Sequence, residues 1–298
     1  MEGSSPDIQF SPPIPLYPHI PLPYSPGGRQ CVALVASDPP TDARGMDGMK
    51  ALLELDKVAK RFGGIEAVSG ISLTLAEGEL LCIIGPNGCG KTTLFNLISG
   101  AFAPTSGAMR YEGRDIAGLA AWRVARLGIG RKFQVPGIYP ELTVRQNFDV
   151  PLFAEAGRRG LLGLLDRGEP DTGFDELLAM VRLDGKADRP AGELSHGEKQ
   201  WLEIGMVLAS RPRLMLLDEP TAGMTMGETE ATADLLLEIH ERTGIAAIVI
   251  EHDMGFVRRL GCPIAVMMRG AILCRGGYEE VSANKEVREA YLGERAPC

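Results

Sequence analysis

A glycine-rich loop that ends in lysine and threonine is the part of the sequence best suited to chemistry. Residues 85–93 read Gly-Pro-Asn-Gly-Cys-Gly-Lys-Thr-Thr, fit the pattern G-x-x-x-x-G-K-T and follow an apolar run at residues 80–84. Such a loop turns its backbone N–H groups towards phosphates at the start of a helix, which we expect near Leu94. Lys91 would bind the β- and γ-phosphates of ATP and Thr92 would bind Mg²⁺. The predicted nucleotide-binding residues are Gly85, Pro86, Asn87, Gly88, Cys89, Gly90, Lys91, Thr92 and Thr93.

Two adjacent carboxylates form a second candidate site. The apolar run at residues 214–217 ends in Asp218 and Glu219, and buried strands rarely end in paired acids without a chemical reason. Beside a phosphate loop, Asp218 is placed to join the Mg²⁺ shell, and Glu219 is placed to polarise the water that attacks the γ-phosphate. The two motifs together predict ATP hydrolysis.

Composition and charge narrow the class of protein. The 298 residues are 45% hydrophobic and have a formal net charge of −8, which argues against a nucleic-acid partner. No apolar run approaches the roughly 20 residues that span a bilayer, so we expect any link to a membrane to run through partner proteins. The cysteines form no C-x-x-C pair and the histidines form no metal-ligand cluster, which favours reduced thiols over a metal site.

The order of predicted elements indicates one α/β domain over residues 50–294. Residues 1–48 are too rich in proline for packed elements, and they read as a disordered tail or as an extension ahead of a true start at Met46 or Met49; residues 295–298 form a short tail. A helical, leucine-rich insertion occupies about residues 140–200, with an exposed loop at 157–173. Strands are predicted at 52–58, 71–75, 79–84, 214–217, 246–250 and 264–268.

A short segment between the two phosphate motifs resembles a known family. Residues 194–198 read Leu-Ser-His-Gly-Glu, which is similar to the L-S-G-G-Q signature of ABC-type ATPases, and the resemblance covers about residues 50–294. It implies a P-loop NTPase fold with a RecA-like parallel-sheet core, an antiparallel β subdomain and an inserted helical subdomain.

The resemblance also assigns roles to three single residues. Phe62, in Lys-Arg-Phe-Gly, stands where the family's aromatic residue stacks on adenine. Gln134, in Arg-Lys-Phe-Gln, matches the glutamine that touches Mg²⁺ and faces the membrane subunits, and His252 matches the histidine that senses the γ-phosphate. The implied catalytic residues are Glu219, His252 and Gln134, and the implied metal ligands are Thr92, Gln134 and Asp218.

A dimer follows from the same resemblance. One P-loop with its metal covers one side of a triphosphate and leaves the γ-phosphate in contact with water. In the family the signature segment of the opposing subunit closes that side; here Ser195 and Gly197 would offer donors at a helix start. Altered signature and D-loop positions favour a non-identical paralogue as the second ATP-binding subunit. The altered positions are His196, Glu198, Trp201 and residues 222–225.

The solute is predicted from resemblance alone. Residues 222–229 and 281–293 are similar to importers of branched-chain amino acids, amides and urea, and residues 194–206 are similar to the first ATP-binding subunit of the urea importer. We therefore favour urea, with a branched-chain amino acid importer as the alternative. Membership implies two multi-span permease subunits, a periplasmic solute-binding protein and a position at the cytoplasmic face of the inner membrane.

Two other classes of protein fit less well. A soluble ABC ATPase of DNA repair or translation would show a coiled-coil insertion, zinc cysteines or tandem cassettes, and a small-molecule kinase has no use for the signature segment. If the chain drives a transporter, we expect its contacts with the permeases near residues 135–139 and 142–144, although the same apolar residues could instead pack the helical subdomain.

Overall fold

The computed structural model describes residues 50–132, 137–158 and 172–291. The predicted tails at 1–48 and 295–298, and the predicted site residue Gln134, lie outside these ranges. Within the described part of the chain, no helix combines the length and apolar character needed to cross a membrane.

The first sheet is antiparallel and has four strands in the order β2-β1-β4-β5. The two long strands form a hairpin in which Phe62 pairs with Ile65. Apart from Phe62 and Ile65 at the hairpin end, the apolar residues of these strands are mostly buried and the polar residues largely exposed, as expected for a sheet with one face on the core. The strands are β1 (Ala51–Phe62), β2 (Ile65–Ala76), β4 (Ser106–Tyr111) and β5 (Arg114–Asp115).

The second sheet has six strands in the order β10-β9-β3-β8-β7-β6, and only β10 runs antiparallel to its neighbour. Every residue of β3, β7 and β8 is buried, which explains their near-continuous apolar sequences. The strands are β3 (Leu80–Ile84), β6 (Ile129–Lys132), β7 (Leu214–Asp218), β8 (Ala246–Ile250), β9 (Ile264–Met268) and β10 (Ala271–Gly276).

Helices cover both faces of the parallel sheet. One core cluster joins the sheet to α1 and the antiparallel strands, and the other joins it to the helices from α3 onwards. A 3₁₀ turn at Ala191–Glu193 precedes α5. The helices are α1 (Lys91–Ile98), α2 (Ala121–Arg126), α3 (Val144–Arg158), α4 (Thr172–Met180), α5 (His196–Ala209), α6 (Met226–Thr243), α7 (Met254–Leu260), α8 (Tyr278–Ala283) and α9 (Lys285–Tyr291).

Some predicted boundaries shift. Helix α1 begins at Lys91 rather than near Leu94, because the P-loop lysine and threonines already form its first turn. Helix α3 continues to Arg158 and α4 begins at Thr172, so both ends of the loop predicted at 157–173 are helical. The rest of that loop, residues 159–171, lies outside the described residues.

Candidate functional site

The loop between β3 and α1 has a backbone that only glycine fits at two positions. Gly85 has φ 158° and Gly90 has φ 105°. A Cβ atom at Gly85 would lie 2.1 Å from the Met267 carbonyl oxygen, and one at Gly90 would lie 2.1 Å from the Ala67 carbonyl oxygen. The missing side chains therefore let the loop wrap tightly, as a phosphate cradle requires.

Lys91 lies over this loop. Its side chain is buried, and its ammonium donates to the carbonyl oxygens of Gly85 at 2.7 Å and Pro86 at 3.0 Å. Helix α1 starts with no side-chain cap, which leaves its first N–H groups available to an anion. Thr92 is exposed at the same helix start. The predicted phosphate-binding residues are thus brought together in a site that fits a Mg²⁺-bound triphosphate.

Asp218 ends strand β7 and is almost fully buried. Arg131, on neighbouring strand β6, places its Nη2 3.3 Å from Asp218 Oδ2. Burial raises the pKa of the Asp218 carboxyl, and the adjacent guanidinium opposes this rise. Residue 218 lies at the carboxyl edge of the parallel sheet, as does the P-loop, where open α/β sheets bind ligands.

Glu219 and His252 are in direct contact. His252 follows β8, and its Nε2 lies 2.6 Å from Glu219 Oε1. Glu219 has φ 48°, a left-handed conformation unusual for a residue with a side chain, and its N–H donates to the Ile250 carbonyl at 3.0 Å. The strained backbone turns the carboxylate away from the β7 axis and towards the histidine.

Glu251 supports this contact, and sequence analysis missed it. The Glu251 carboxylate is buried and accepts from the Thr221 N–H at 2.9 Å, the Thr221 hydroxyl at 2.6 Å and the His252 N–H at 3.0 Å. It thereby ties the segment after Glu219 to the segment after β8. An acid directly before the predicted histidine was the available signal.

Ser195 is the N-cap of helix α5. Its Oγ accepts from the Glu198 N–H at 3.2 Å, and its own N–H donates to Glu198 at 2.9 Å, which forms a capping box. Burial works against ionisation of Glu198, but the Lys186 ammonium and the Ser195 N–H lower its pKa below the ordinary value. Glu198, in place of the family's glutamine, is therefore held as an anion.

Side chains at the start of α5 form hydrogen bonds with α6 and with the segment before it in the same chain. His196 Nε2 lies 2.8 Å from the Ala222 carbonyl oxygen, and Trp201 Nε1 donates to Thr232 Oγ1 at 2.9 Å. A Cβ atom at Gly197 would lie 2.8 Å from Glu228 Oε1, so this glycine allows close approach of α6. The side chains at two of the altered positions, 196 and 201, thus bond within the chain, and a glycine at 196 would have no side chain to make the first of these contacts.

Phe62 is exposed at the end of β1. Its ring packs edge-to-face on Phe102, with centroids 5.3 Å apart, and the Lys60 ammonium lies 5.1 Å from the Phe62 centroid. Sequence analysis missed Phe102. The pair presents an aromatic surface of the kind that adenine stacks on.

Fold and site together define a P-loop nucleoside triphosphatase. Residues 68–222 match the family model described as ABC transporter, and residues 271–297 match the one described as Branched-chain amino acid ATP-binding cassette transporter. The chain belongs to the ATP-binding subunits of ABC transporters, in the branched-chain amino acid importer group. It is an ABC-type ATPase that binds ATP with Mg²⁺.

Relatives support this placement along most of the chain. The high-affinity branched-chain amino acid transport ATP-binding protein BraF of Pseudomonas aeruginosa is 36% identical over 254 residues, which are 82% of this chain and 99% of BraF. The ADP conformation of MJ1267, an ATP-binding cassette of an ABC transporter, is 29% identical, with a TM-score of 0.69 over 82% of this chain and 100% of that chain. The dimeric bacterial cassette MJ0796 is 26% identical, with a TM-score of 0.64 over 76% of this chain and 99% of that chain.

The predicted fold class is confirmed, and the predicted solute is not. The neighbours share a parallel-sheet core with an added antiparallel sheet. For the solute, BraF and the family model at residues 271–297 are both named for branched-chain amino acid transport, which supports the alternative better than urea. The urea prediction depended on sequence resemblance at residues 130–134 and 194–206 alone.

Proposed function

We propose that this chain is the ATP-hydrolysing subunit of an importer for branched-chain amino acids. The observation that best supports hydrolysis is the 2.6 Å contact of Glu219 with His252 at the sheet edge that also bears the P-loop. The proposed solute comes from BraF and from the branched-chain family model at residues 271–297.

Each side chain has a proposed part in hydrolysis. Lys91 and the loop N–H groups bind the phosphates, and Phe62 stacks on adenine. Glu219 accepts a proton from the attacking water, and His252 holds Glu219 in place and contacts the γ-phosphate. Mg²⁺, when bound, neutralises charge on the phosphates. Its proposed ligands are Thr92, Asp218 and Gln134.

We propose that the second half of the site comes from another ATP-binding subunit. Ser195 and Gly197 lie at the start of α5, where the Ser195 hydroxyl and the Gly197 N–H would be the donors to a neighbour's phosphate. The dimeric cassette MJ0796 supports such a pairing. We expect a non-identical paralogue, because this chain has altered residues at the signature segment and at positions 222–225.

The membrane partners are also proposed. Two permease subunits would bind this chain at the cytoplasmic face of the membrane, and a periplasmic solute-binding protein would deliver the solute. Tyr139 is exposed beside the Gln134 segment and fits the predicted contact surface, whereas Val144 is fully buried. Val144 therefore packs the helical region, and the proposed permease surface is reduced to its exposed neighbours.

Urea import remains a second candidate. The motif Leu-Ser-His-Gly-Glu-Lys-Gln-Trp at residues 194–201 favours it, and the structure gives His196 and Trp201 defined contacts. These contacts concern the attachment of α5 and not the solute. The candidate therefore depends on sequence resemblance alone.

Uptake by cells that lack the gene distinguishes the two solutes. We expect radiolabelled leucine uptake to be lost in the deletion strain and restored by the wild-type chain, but not by Glu219→Gln, with urea uptake unchanged throughout. Restoration of urea uptake instead would establish the second candidate. Wild-type uptake of both solutes in the deletion strain would contradict an import function for either.

A further inference from the structure

Strand β6 places two consecutive cations in the interior. Arg131 and Lys132 are the last residues of the strand, and their side chains are only 6% and 1% exposed. Successive residues of a strand point to opposite faces of the sheet. The two charged side chains therefore lie on opposite faces of the sheet, although the residues are adjacent in the chain.

Arg131 faces the P-loop helix. Its Nη1 donates to Asn96 Oδ1 at 2.7 Å and to Ser99 Oγ at 3.0 Å on and just after α1, while its Nη2 pairs with Asp218 at 3.3 Å. One guanidinium thus joins the C-terminal end of α1 to the acid at the end of β7. Its planar set of donors can make all three contacts at once.

Lys132 faces α5, the signature helix, which begins within the segment 194–198 that resembles the family signature. Its ammonium lies 3.3 Å from Glu203 Oε2 on α5, and the Glu203 side chain is 6% exposed. The other oxygen, Glu203 Oε1, accepts from the Gly137 N–H. Lys132 and Gly137 therefore both contact the same carboxylate of α5.

We propose that Arg131 and Lys132, with Glu203, are positioning residues that join the ATP-binding half of the subunit to its signature helix. The inference rests on the proposed function, because it assumes that Asp218 holds the metal and that Ser195 acts on a partner's nucleotide. A change at α1 or Asp218 is transmitted through Arg131 to β6. Lys132 and Glu203 transmit it from β6 to α5.

The double variant Lys132→Met with Glu203→Gln, which replaces the ion pair by two neutral side chains, distinguishes a positioning role from a role in stability. Lys132→Met alone leaves a buried carboxylate without its cation and lowers the unfolding midpoint in guanidinium chloride. The double variant keeps the shape of the pair and an acceptor for the Gly137 N–H, so its midpoint returns towards the wild-type value. We expect its kcat for ATP to stay about tenfold low with KM nearly unchanged, because mispositioned groups slow chemistry.

The matched control removes an ion pair elsewhere. Arg259 and Asp234 form a two-bond pair between α7 and α6, and Arg259→Met with Asp234→Asn should leave kcat unchanged. If kcat of the Lys132 and Glu203 double variant recovers together with its midpoint, the pair is structural only and the inference is overturned. If the assembled transporter with the wild-type chain fails to hydrolyse ATP, the proposed function is overturned as well, whereas hydrolysis by that assembly that is blocked by Lys91→Ala preserves the function whatever the pair does.

A double-mutant cycle tests the link between the two faces. Arg131→Lys keeps the charge but cannot reach Asn96, Ser99 and Asp218 together. If β6 joins both halves, combining Arg131→Lys with the Lys132 and Glu203 double variant lowers kcat little further than the worse change alone. If the kcat of the combined variant falls by the product of the two separate decreases, Arg131 and Lys132 act independently and the proposed link is overturned.

Discussion

At the scale of single residues, Glu219 combines a strained backbone with a short contact between its carboxylate and His252. Glu219 adopts φ 48°, which orients its carboxylate 2.6 Å from His252 Nε2. Buried Glu251 fixes the segments on both sides of this pair. Such a strained residue persists only where its surroundings determine it, and strained residues cluster at active sites. The geometry therefore agrees with the proposed role of Glu219 as the base.

Lys91→Ala should remove nucleotide binding. The ammonium supplies a charge-assisted contact to phosphate, and a ligand present at about 100 times its Kd stabilises a protein by about 2.7 kcal/mol. We expect MgATP to raise the unfolding temperature of the wild-type chain and not that of Lys91→Ala. Glu219→Gln is the control and should keep the full shift. An equal shift in Lys91→Ala would contradict the assigned phosphate contact.

The sequence predicts the residues of this site better than it predicts their supports. The P-loop pattern and the acids at 218 and 219 follow from local chemistry, and the structure places them at one sheet edge. Arg131 and Glu203 could not be predicted, because their partners Asp218 and Lys132 are distant in the chain and become neighbours only through strand order. Charged residues in a short strand look exposed until the fold buries them.

At the scale of elements, helix starts serve both folding and function. Ser195 begins α5 with a reciprocal capping box, and Thr143 with Gln146 forms the same pair of bonds before α3. Loss of such a cap costs about 1 kcal/mol. Ser195 has a second proposed role towards a partner's phosphate, which Thr143 lacks.

Ser195→Ala and Thr143→Ala should therefore separate the two roles. We expect both variants to lose about 1 kcal/mol of stability, measured by denaturant unfolding. Only Ser195→Ala should also lower ATP turnover of the assembled dimer, because it removes a donor to the nucleotide. Equal turnover in the two variants would mean that Ser195 is a cap and nothing more.

Glu198 makes the stability of the fold depend on pH. Its folded-state pKa lies below its unfolded value of about 4.3, so its carboxylate stabilises the fold above that pH, and the contribution is lost as pH falls through the lower folded pKa. Lys186→Met should lower the unfolding temperature at neutral pH and approach the wild-type value under acid conditions. Lys285→Met, from an exposed pair with Glu289, is the control and should have little effect at either pH. If the difference in unfolding temperature between Lys186→Met and the wild-type chain were the same at neutral and acid pH, the ion pair would be excluded as its cause.

Periodicity predicts the fully buried strands well, but it misses β4, β5, β6 and β10, and it places the start of β2 and the helix ends less well. Buried parallel strands such as β7 and β8 leave continuous apolar runs, and both were expected within a residue of their observed ends. The start of α1 was placed three residues late, since a lysine and two threonines carry no apolar signal. The ends of α3 and α4 were missed because glycine and arginine there resemble a loop.

At the scale of the whole molecule, the proposed dimer would draw on two separate regions of each chain for its nucleotide sites. The P-loop, Asp218, Glu219 and His252 gather at the carboxyl edge of the parallel sheet, while Ser195 and Gly197 lie at the start of α5 beside the Ala222 segment. The β6 cations lie between these regions and contact both. The chain belongs to the ATP-binding subunits of ABC transporters, and the proposed solute-binding protein and permeases, not this chain, would recognise the solute.

ATP turnover by Glu219→Gln is the most direct test of the account. The substitution removes the proposed base but keeps the side-chain shape and the phosphate contacts, so MgATP binding should match the wild-type chain. A general base contributes about 10²- to 10⁴-fold to rate, and we expect kcat to fall by at least the lower figure. Wild-type turnover by Glu219→Gln, with its binding intact, would contradict the assignment of Glu219 and the hydrolysis mechanism built on it.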